Sequence, residues 1–279
     1  MAASPVLDAY LKLWDLGEPT LLTRTHTSTL YTVRHGDETV VLKLLAPGEV
    51  EEQRGALALK CFAGRGAVRL MRHDAGAQLL EYAAGEELIA VVERGDDAAA
   101  TRIIAGVLNE LHAAPDRVAD PGLMPLERWF RALLERGAQE RLASSSTVFT
   151  TAAAVAERLL AEPREVRVLH GDIHHRNIRA STRGWLAFDP KGLFGERTYD
   201  CANTLCNPPI PELVHNEARL LAQAALLADA LALDPDRIVA FAYAYSALNA
   251  AWWLKLGDDS IVAWSLAVAR LLEPHVRVG

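Results

Sequence analysis

Hydrophobic and polar positions divide the chain into two parts with different periodicities. Before about residue 82, many apolar positions alternate with polar ones, which is typical of strands that bury one face. Residues 39–45 form the strongest predicted strand, and the turn-forming residues 35–38 separate it from an alternating, threonine-rich segment at 20–32. These two segments together predict an antiparallel hairpin.

The rest of the first part predicts one helix and two more strands. An amphipathic segment at 5–16 opens the chain, and residues 49–62 have helical spacing. Residues 67–71 and 78–82 have the pattern of short strands. The first 80 residues are therefore expected to form mostly antiparallel sheet with one helix.

After residues 83–85 the chain changes to long segments rich in alanine and leucine. The predicted helices are residues 96–114, 125–143, 148–161, 212–233, 235–256 and 258–272. One polar segment interrupts them with three short extended pieces, at 166–170, 177–180 and 185–189. The change in character predicts an α+β fold with two lobes: a small antiparallel sheet lobe, residues 1–82, and a larger, mainly helical lobe, residues 83–279.

Composition and charge narrow the possible functions. The chain is 51% hydrophobic and 23% charged, which is ordinary for a globular protein, and its net charge of −7 argues against nucleic acid as a partner. No apolar run is long enough to cross a membrane, and Met1 to Pro5 lack the positive charge of a signal peptide. The three cysteines form no CxxC pair. A cytoplasmic protein is expected.

The charge is unevenly distributed. Residues 1–80 carry nine basic and nine acidic side chains, whereas residues 81–279 carry 20 basic and 27 acidic ones. This excess fits either solvated helix faces or a helical lobe that attracts a cation.

The polar segment carries residue types suited to phosphoryl transfer to a hydroxyl. That reaction needs a carboxylate that orients the hydroxyl and accepts its proton, a role that suits Asp172. It also needs oxygen ligands that hold Mg²⁺ against the phosphates, which suits Asn177 and Asp189. The alternative is an Asp and an Asn that only fix a turn by local hydrogen bonds.

The motif His-Gly-Asp-x-x-x-x-Asn at 170–177, followed by an apolar strand that ends in Asp189, resembles the catalytic and metal loops of protein kinases. Its Gly171 variant resembles the aminoglycoside phosphotransferases and related small-molecule kinases. The resemblance implies a protein-kinase-like bilobal fold, with ATP as phosphate donor and Mg²⁺ as cofactor.

Other parts of that family's nucleotide site have counterparts in the first lobe. Lys43 resembles the strand lysine that contacts nucleotide phosphates, and Glu52 could hold it by an ion pair, with Glu51 as the rival. No GxGxxG occurs; a polar stretch at 25–30, rich in hydroxyl groups, stands in its place.

The junction between the lobes resembles the family's adenine site. The resemblance implies that the carbonyl of Glu81 and the amide of Ala83 bind adenine and that Leu80 lines the pocket.

A wider set of motifs narrows the resemblance to the aminoglycoside/hydroxyurea antibiotic resistance kinases. They include Arg54-Gly55, Asp189-Pro190-Lys191-Gly192 and Tyr199-Asp200. No Ala-Pro-Glu motif follows, which argues against protein substrates. Within that family these motifs resemble the streptomycin 6-phosphotransferases, which implies phosphorylation of a cationic aminoglycoside and antibiotic resistance.

Candidate residues for that acceptor are Trp252, Asp258 and Asp259, which could contact guanidinium groups; the alternative for each is an ordinary core aromatic or surface charge. Asp200 is expected to brace the catalytic loop and His112 to make a buried hydrogen bond. Two rival functions stay open: a kinase for another hydroxylated metabolite, such as a sugar, choline or homoserine, and a nucleotide-binding regulatory pseudokinase.

Overall fold

The computed structural model describes residues 5–113, 120–143 and 146–277. Met1 to Ser4 and Ala114, which entered the expectations above, lie outside these ranges. The strands are Gly17–Arg24 (β1), Ser28–His35 (β2), Glu38–Leu45 (β3), Leu70–His73 (β4), Ala77–Glu81 (β5), Met124–Pro125 (β6), Val166–Leu169 (β7), Ile178–Ser181 (β8), Gly184–Ala187 (β9) and Leu193–Glu196 (β10).

The helices follow the same two-part division of the chain. They are Pro5–Trp14 (α1), Val50–Phe62 (α2), Ile89–Glu93 (α3), Asp97–His112 (α4), Leu126–Trp129 (α5), Arg131–Leu142 (α6), Val148–Ala161 (α7), Ala202–Leu205 (α8), Pro211–Val214 (α9), Glu217–Leu231 (α10), Pro235–Leu256 (α11) and Asp259–Leu272 (α12). None of the helices in the described ranges is long and apolar enough to cross a membrane.

The first lobe is a five-stranded antiparallel sheet in the order β1-β2-β3-β5-β4. Alternation along β3 sends Val40 and Leu42 to one face, where they join Leu7 and Trp14 of α1 in a small apolar core. The opening amphipathic segment is therefore a second helix of this lobe, where one had been expected, because its apolar stripe covers the outer face of the sheet.

The opposite face of the sheet looks into the cleft between the lobes. Val41 pairs with Leu80, and Lys43 pairs with Gln78, so these side chains share that face. Helix α2 lies on the same side, because the Gln78 side chain donates a 2.8 Å hydrogen bond to the carbonyl of Glu52. The lysine and the helix that follows it therefore meet over one face.

Several predicted elements are divided or shifted in the structure. The single strand expected at 20–32 is two strands, β1 and β2, joined by a turn in which Thr25 and Ser28 are hydrogen-bonded. That turn contains neither Gly nor Pro, so the threonine-rich pattern conceals it. The helix expected at 125–143 is divided at Phe130.

Three further differences concern one helix and two strands. The helix expected at 212–233 is interrupted at residues 215–216, where the side chain of Asn216 caps α10. The strand expected at 67–71 begins at Leu70, because Val68 instead hydrogen-bonds to Ala187 in the other lobe. Strand β10 was not expected; it pairs with β7 and β6.

The second lobe is built around α11, whose residues from Ile238 to Ala251 are mostly buried. Helices α7, α10 and α12 pack against it, and the polar segment with β7 to β10 faces the first lobe. The polar segment therefore lies between two cores, at the position where the lobes meet.

One inter-lobe contact leaves no room for side chains. A Cβ atom on Gly55 of α2 would lie 2.4 Å from the carbonyl oxygen of Pro190, and one on Gly192 would lie 2.2 Å from the carbonyl oxygen of Arg54. Gly192 also has a φ of +66°, which favours glycine. The backbone of α2 therefore packs directly on the turn at residues 189–192, which we call the Asp189 turn.

We expect Gly55→Ala to destabilise the protein by about 1–3 kcal/mol, because α2 would have to move away from Pro190. Gly106→Ala is the matched control: Gly106 is also helical, and a Cβ there would meet no atom within 4 Å. Alanine there should stabilise α4 by about 0.5–1 kcal/mol. Urea unfolding of both variants measures this, and equal effects would contradict the close packing.

Candidate active site

A buried carboxylate fixes the loop that carries Asp172. Asp200 accepts hydrogen bonds from the amides of His170 and Gly171, at 3.1 and 2.7 Å, and from Nε2 of His112 at 2.9 Å. Its side chain is completely buried. The expectations for Asp200 and His112 agree with this geometry, which holds the loop by charge-assisted hydrogen bonds.

The His170 ring connects this loop to the chain before Asp189. Its Nε2 donates to the carbonyl of Phe188 at 3.0 Å, while its Nδ1 accepts from the amide of Asp172 at 3.2 Å. Burial lowers the pKa of His170 and outweighs the nearby carboxylates, so the ring is neutral. One tautomer then makes both hydrogen bonds, which sets the distance between the two loops.

Two amides orient the Asp172 carboxylate. Oδ1 accepts from Nδ2 of Asn203 at 2.7 Å, and Oδ2 accepts from Nδ2 of Asn177 at 3.2 Å. Asn207 donates to Oδ1 of Asn203 at 2.8 Å and so fixes the orientation of that amide. Each carboxylate oxygen keeps a further lone pair with which to accept a proton.

The structure brings Lys43, Glu52 and Asp189 together. The ammonium group of Lys43 lies 2.5 Å from a carboxylate oxygen of each acid. Burial opposes the charge on Lys43, but Asp189 and Glu52 more than offset it and raise its pKa. The turn at residues 25–28 contacts the Glu52 carboxylate, since the Thr27 hydroxyl donates to it at 2.8 Å.

Asp189 is held in an uncommon backbone conformation at the edge of the cleft. Its φ is +61°, in the left-handed region that Asp tolerates better than most residues. Burial would raise the pKa of Asp189, but the Lys43 ammonium outweighs it and holds that pKa below its usual range. Its side chain is 42% exposed, against 7% for Lys43, so the carboxylate is accessible from the cleft.

Asn177 and Asp189 fit a magnesium site that uses few protein ligands. Asn177 directs its Nδ2 to Asp172, which leaves Oδ1, the atom that a hard cation prefers, free of that contact. Among the described residues, no group of three or more His, Cys, Asp or Glu side chains is placed to hold a metal. One amide, one carboxylate and oxygens from phosphate and water match the usual environment of Mg²⁺.

Glu51, the rival of Glu52, has its own lysine. Lys191 of the Asp189 turn lies with its Nζ 2.6 Å from Glu51 and 3.9 Å from Oδ2 of Asp172. Burial opposes the charge, but the Asp172 and Glu51 carboxylates raise the pKa of Lys191 well above its usual value. In the sequence, Lys191 stands out only as part of the motif Asp189-Pro190-Lys191-Gly192, and nothing there pairs it with Glu51.

The predicted adenine residues line an apolar slot between the lobes. Leu80, Glu81 and Ala83 share its walls with Val41 and Phe188. The Glu81 side chain is bound elsewhere, in an ion pair of 2.6 Å with Arg183. Its amide is also engaged, since it donates to the carbonyl of Arg69 at 2.9 Å, and the adenine role expected for the Glu81 carbonyl stays a prediction.

A second and larger cavity, of about 530 Å³, opens beside Asp172. Its walls carry amide, hydroxyl and aromatic side chains from three helices and the loops between them. Its polar and aromatic lining includes His174, Asn203, Asn207, Asn249, Ser260 and Trp264. We call it the Asp172 cavity.

The three acceptor candidates from the sequence do not line the Asp172 cavity. Asp258 instead caps α12, accepting from the amides of Ser260 and Ile261. Asp259 is exposed in the first turn of that helix. Trp252 packs edge-on against Trp129 and lines a different cavity, which also contains Glu51.

The residues that line the cavity carried little sequence signal. Trp264 lies on α12 and packs on the His215 ring at 4.4 Å, within an otherwise ordinary helical pattern. Asn203 follows the Tyr199-Asp200 motif, and that proximity was the one available signal for it.

Comparison with known proteins identifies relatives of this chain. Residues 13–257 match the aminoglycoside/hydroxyurea antibiotic resistance kinase family. A streptomycin 3''-kinase from Klebsiella pneumoniae is 37% identical over 250 residues, which cover 88% of this chain and 91% of that protein. A streptomycin 6-kinase from Streptomyces griseus is 34% identical over 270 residues, which cover 93% and 85%.

A solved structure confirms the fold. The chain is similar, with a TM-score of 0.68, to a thermostable mutant of the aminoglycoside phosphotransferase APH(4)-Ia in complex with ADP and hygromycin B. The match covers 99% of this chain and 100% of that one, at 14% identity. The expected kinase-like fold, with an antiparallel sheet in the first lobe and a helical second lobe, is therefore confirmed.

The buried His175 should make stability depend on pH. Both of its ring nitrogens are buried and lack a hydrogen-bond partner among the described residues. Burial, followed by the charge of Arg219, lowers the pKa of His175 from 6.5 to about 4. The His175 ring therefore binds a proton below about pH 6.5 in the unfolded chain but only below about pH 4 in the native protein. The free energy of unfolding consequently falls as the pH falls through this window.

We expect this residue to account for about 2 kcal/mol of the stability lost between about pH 7 and pH 5. Unfolding of His175→Leu should show a pH dependence weaker than wild type by that amount. His26→Leu, which removes an exposed histidine from the turn after β1, is the control. The same pH dependence in wild type and His175→Leu would show that this ring is not the cause.

Proposed function

The chain belongs to the aminoglycoside/hydroxyurea antibiotic resistance kinase family, and from this membership we propose that it transfers the γ-phosphoryl group of ATP to a hydroxyl group of streptomycin in the cytoplasm. The observation that carries the proposal is that the Asp172 carboxylate, oriented by Asn203 and Asn177, lies in the wall of a cavity of about 530 Å³. A cavity of this size suits a drug-sized molecule.

The family's name includes two kinds of acceptor, aminoglycosides and hydroxyurea, and the size of the Asp172 cavity distinguishes between them. Hydroxyurea has few atoms and would leave most of such a volume filled with water, whereas an aminoglycoside can contact several walls at once. Two relatives that match most of this chain are streptomycin kinases. These points favour streptomycin over hydroxyurea.

The chemistry of the cavity walls suits a sugar-containing acceptor. Asn249, Ser260 and Ser265 offer donors and acceptors to hydroxyl groups, and Trp264 offers a face for a sugar ring or a guanidinium plane. Asp172 is the single carboxylate among the described residues that line the cavity. The other described acidic residues of the second lobe lie outside the cavity lining, so they would attract a cationic acceptor from a distance.

The side chains then have separate roles. Asp172 orients the acceptor hydroxyl and accepts its proton, while Lys43, held by Glu52, contacts the phosphates of the nucleotide. Asn177 and Asp189 would hold Mg²⁺, which compensates phosphate charge when bound. Leu80 and the backbone of Glu81 and Ala83 would receive adenine.

We propose the 6 hydroxyl as the acceptor position. The relatives divide between 6-kinases and a 3''-kinase at similar identities, so identification of the product is the test. Two-dimensional ¹H–³¹P NMR of the purified product identifies the carbon that carries the phosphate. Phosphate at the 3'' hydroxyl would overturn the position but leave the substrate intact.

Asp172→Asn should lower kcat for streptomycin by about 10²–10⁴-fold, because the amide cannot accept the hydroxyl proton, while ATP and streptomycin still bind. The assay is Mg²⁺-dependent ADP release with streptomycin, hydroxyurea, sugars, choline and homoserine. Asp229→Asn, on the exposed side of α10, is the control and should match wild type.

The same panel separates the rival functions. Turnover with another hydroxylated metabolite but not with streptomycin would establish a different kinase. Tight ATP binding without turnover of any acceptor would establish the pseudokinase.

Trp264→Ala should raise KM for streptomycin by about 5- to 30-fold with a smaller change in kcat, because it removes about 1–2 kcal/mol of stacking on the acceptor. Trp252→Ala is the comparison, since Trp252 lies outside the Asp172 cavity, and its KM should stay within about threefold of wild type. Steady-state kinetics with varied streptomycin measures both values. The reverse order would support the original expectation for Trp252.

A further inference from the structure

Two consecutive glutamates of α2 each hold one lysine of the cleft. Glu52 lies 2.5 Å from Lys43 of β3, and Glu51 lies 2.6 Å from Lys191 of the Asp189 turn. The first pair is the nucleotide lysine and its partner, already placed in the proposed function. The second pair has no role in that mechanism, although Lys191 lies close to Asp172.

The backbone around Lys191 is fixed on both sides. Its amide donates to the carbonyl of His170 at 2.7 Å, so it is tied to the loop that carries Asp172. The next residue, Gly192, packs directly on the backbone of α2. The backbone at Lys191 is therefore rigid, and only the rotamer of its side chain has to be set by Glu51.

The ammonium group of Lys191 lies beside the proposed base. Its Nζ is 3.9 Å from Oδ2 of Asp172, and its side chain is 27% exposed. A hydroxyl that donates to Asp172 has its oxygen about 2.6–3.2 Å from that carboxylate, and the phosphorus it attacks lies about 3–3.5 Å further. Both atoms are then within reach of a lysine side chain rooted at residue 191.

We propose that Lys191 is a catalytic residue that contacts the phosphoryl group during transfer, and that Glu51 is the positioning residue that aims it. The inference rests on the proposed function. In the step, the acceptor oxygen forms a bond to Pγ while the bond from Pγ to the bridging oxygen of ADP breaks, and the hydroxyl proton passes to Asp172. Lys191 compensates the charge of the transferred group on the acceptor side, and Lys43 compensates it on the nucleotide side.

Lys191→Gln should lower kcat for streptomycin by about 100-fold, since it removes one preorganised cation from the transferred group. The dissociation constant of MgADP should stay within about threefold of wild type. Lys60→Gln, an exposed lysine at the other end of α2, is the matched control and should leave both quantities unchanged.

A binding measurement separates this role from a purely structural ion pair. ADP with Mg²⁺ and aluminium fluoride mimics the phosphoryl group in transfer, so its tighter binding than MgADP reports contacts made only at that stage. Lys191→Gln should reduce this preference by about tenfold or more, and Lys191→Arg should retain part of it. Equal losses of affinity for both ligands, or wild-type kcat in Lys191→Gln, would overturn the proposal.

Glu51→Gln tests the positioning role without removing the lysine. We expect a lower kcat and a smaller aluminium fluoride preference, both between those of wild type and Lys191→Gln, with KM for ATP unchanged. A variant that loses stability but keeps both values would assign Glu51 a structural role and overturn this part.

The two proposals can fail separately. If streptomycin is not phosphorylated but Lys191→Gln still loses the aluminium fluoride preference, the acceptor is wrong and Lys191 stands. If wild type and Lys191→Gln phosphorylate streptomycin equally well, the acceptor stands and the role of Lys191 is wrong.

Discussion

The backbone contact between α2 and the Asp189 turn is the constraint on which the charged cleft depends. Glycines at positions 55 and 192 let two backbones approach more closely than any side chain would allow. Because α2 supplies Glu51 and Glu52, and the turn supplies Asp189 and Lys191, this contact sets the Glu51–Lys191 pair. It also places Glu52 and Asp189, the two carboxylates that meet Lys43 of β3. The attraction within a buried pair such as Lys43–Glu52 is largely offset by the cost of desolvating both charges, so packing of the backbone, more than attraction, places these charges.

The loop that carries Asp172 is fixed in a different way. Neutral amides and the neutral His170 ring orient it, and the charged group that holds its backbone, Asp200, is buried away from the cleft. A carboxylate held by amides keeps lone pairs available for a proton. In the proposed mechanism the cleft therefore separates two tasks: lysines that face phosphate charge, and a carboxylate that faces the acceptor.

Much of the charged site was predictable because its chemistry needs particular residue types at short, fixed spacings. Asp172 and Asn177 share one loop, and Asp189 ends the next hairpin, so a motif could locate them. The lining of the Asp172 cavity was not predictable, since residues such as Trp264 come from distant helices with ordinary periodicity. Asp258 shows the same limit: an acid before a helix suits either a ligand or a cap, and the structure uses it as the cap.

The sequence by itself determined the two-part architecture, most of the helices and strands, and the two loops that carry Asp172 and Asp189. These depend on periodicity and local spacing, which are properties of short stretches of chain. The tertiary structure alone decided which glutamate of α2 holds which lysine, where the turn at 25–28 and the break at Phe130 fall, and which tryptophan lines the Asp172 cavity. Those outcomes depend on packing between segments far apart in the chain, where several local patterns are equally acceptable and only the shared core selects one.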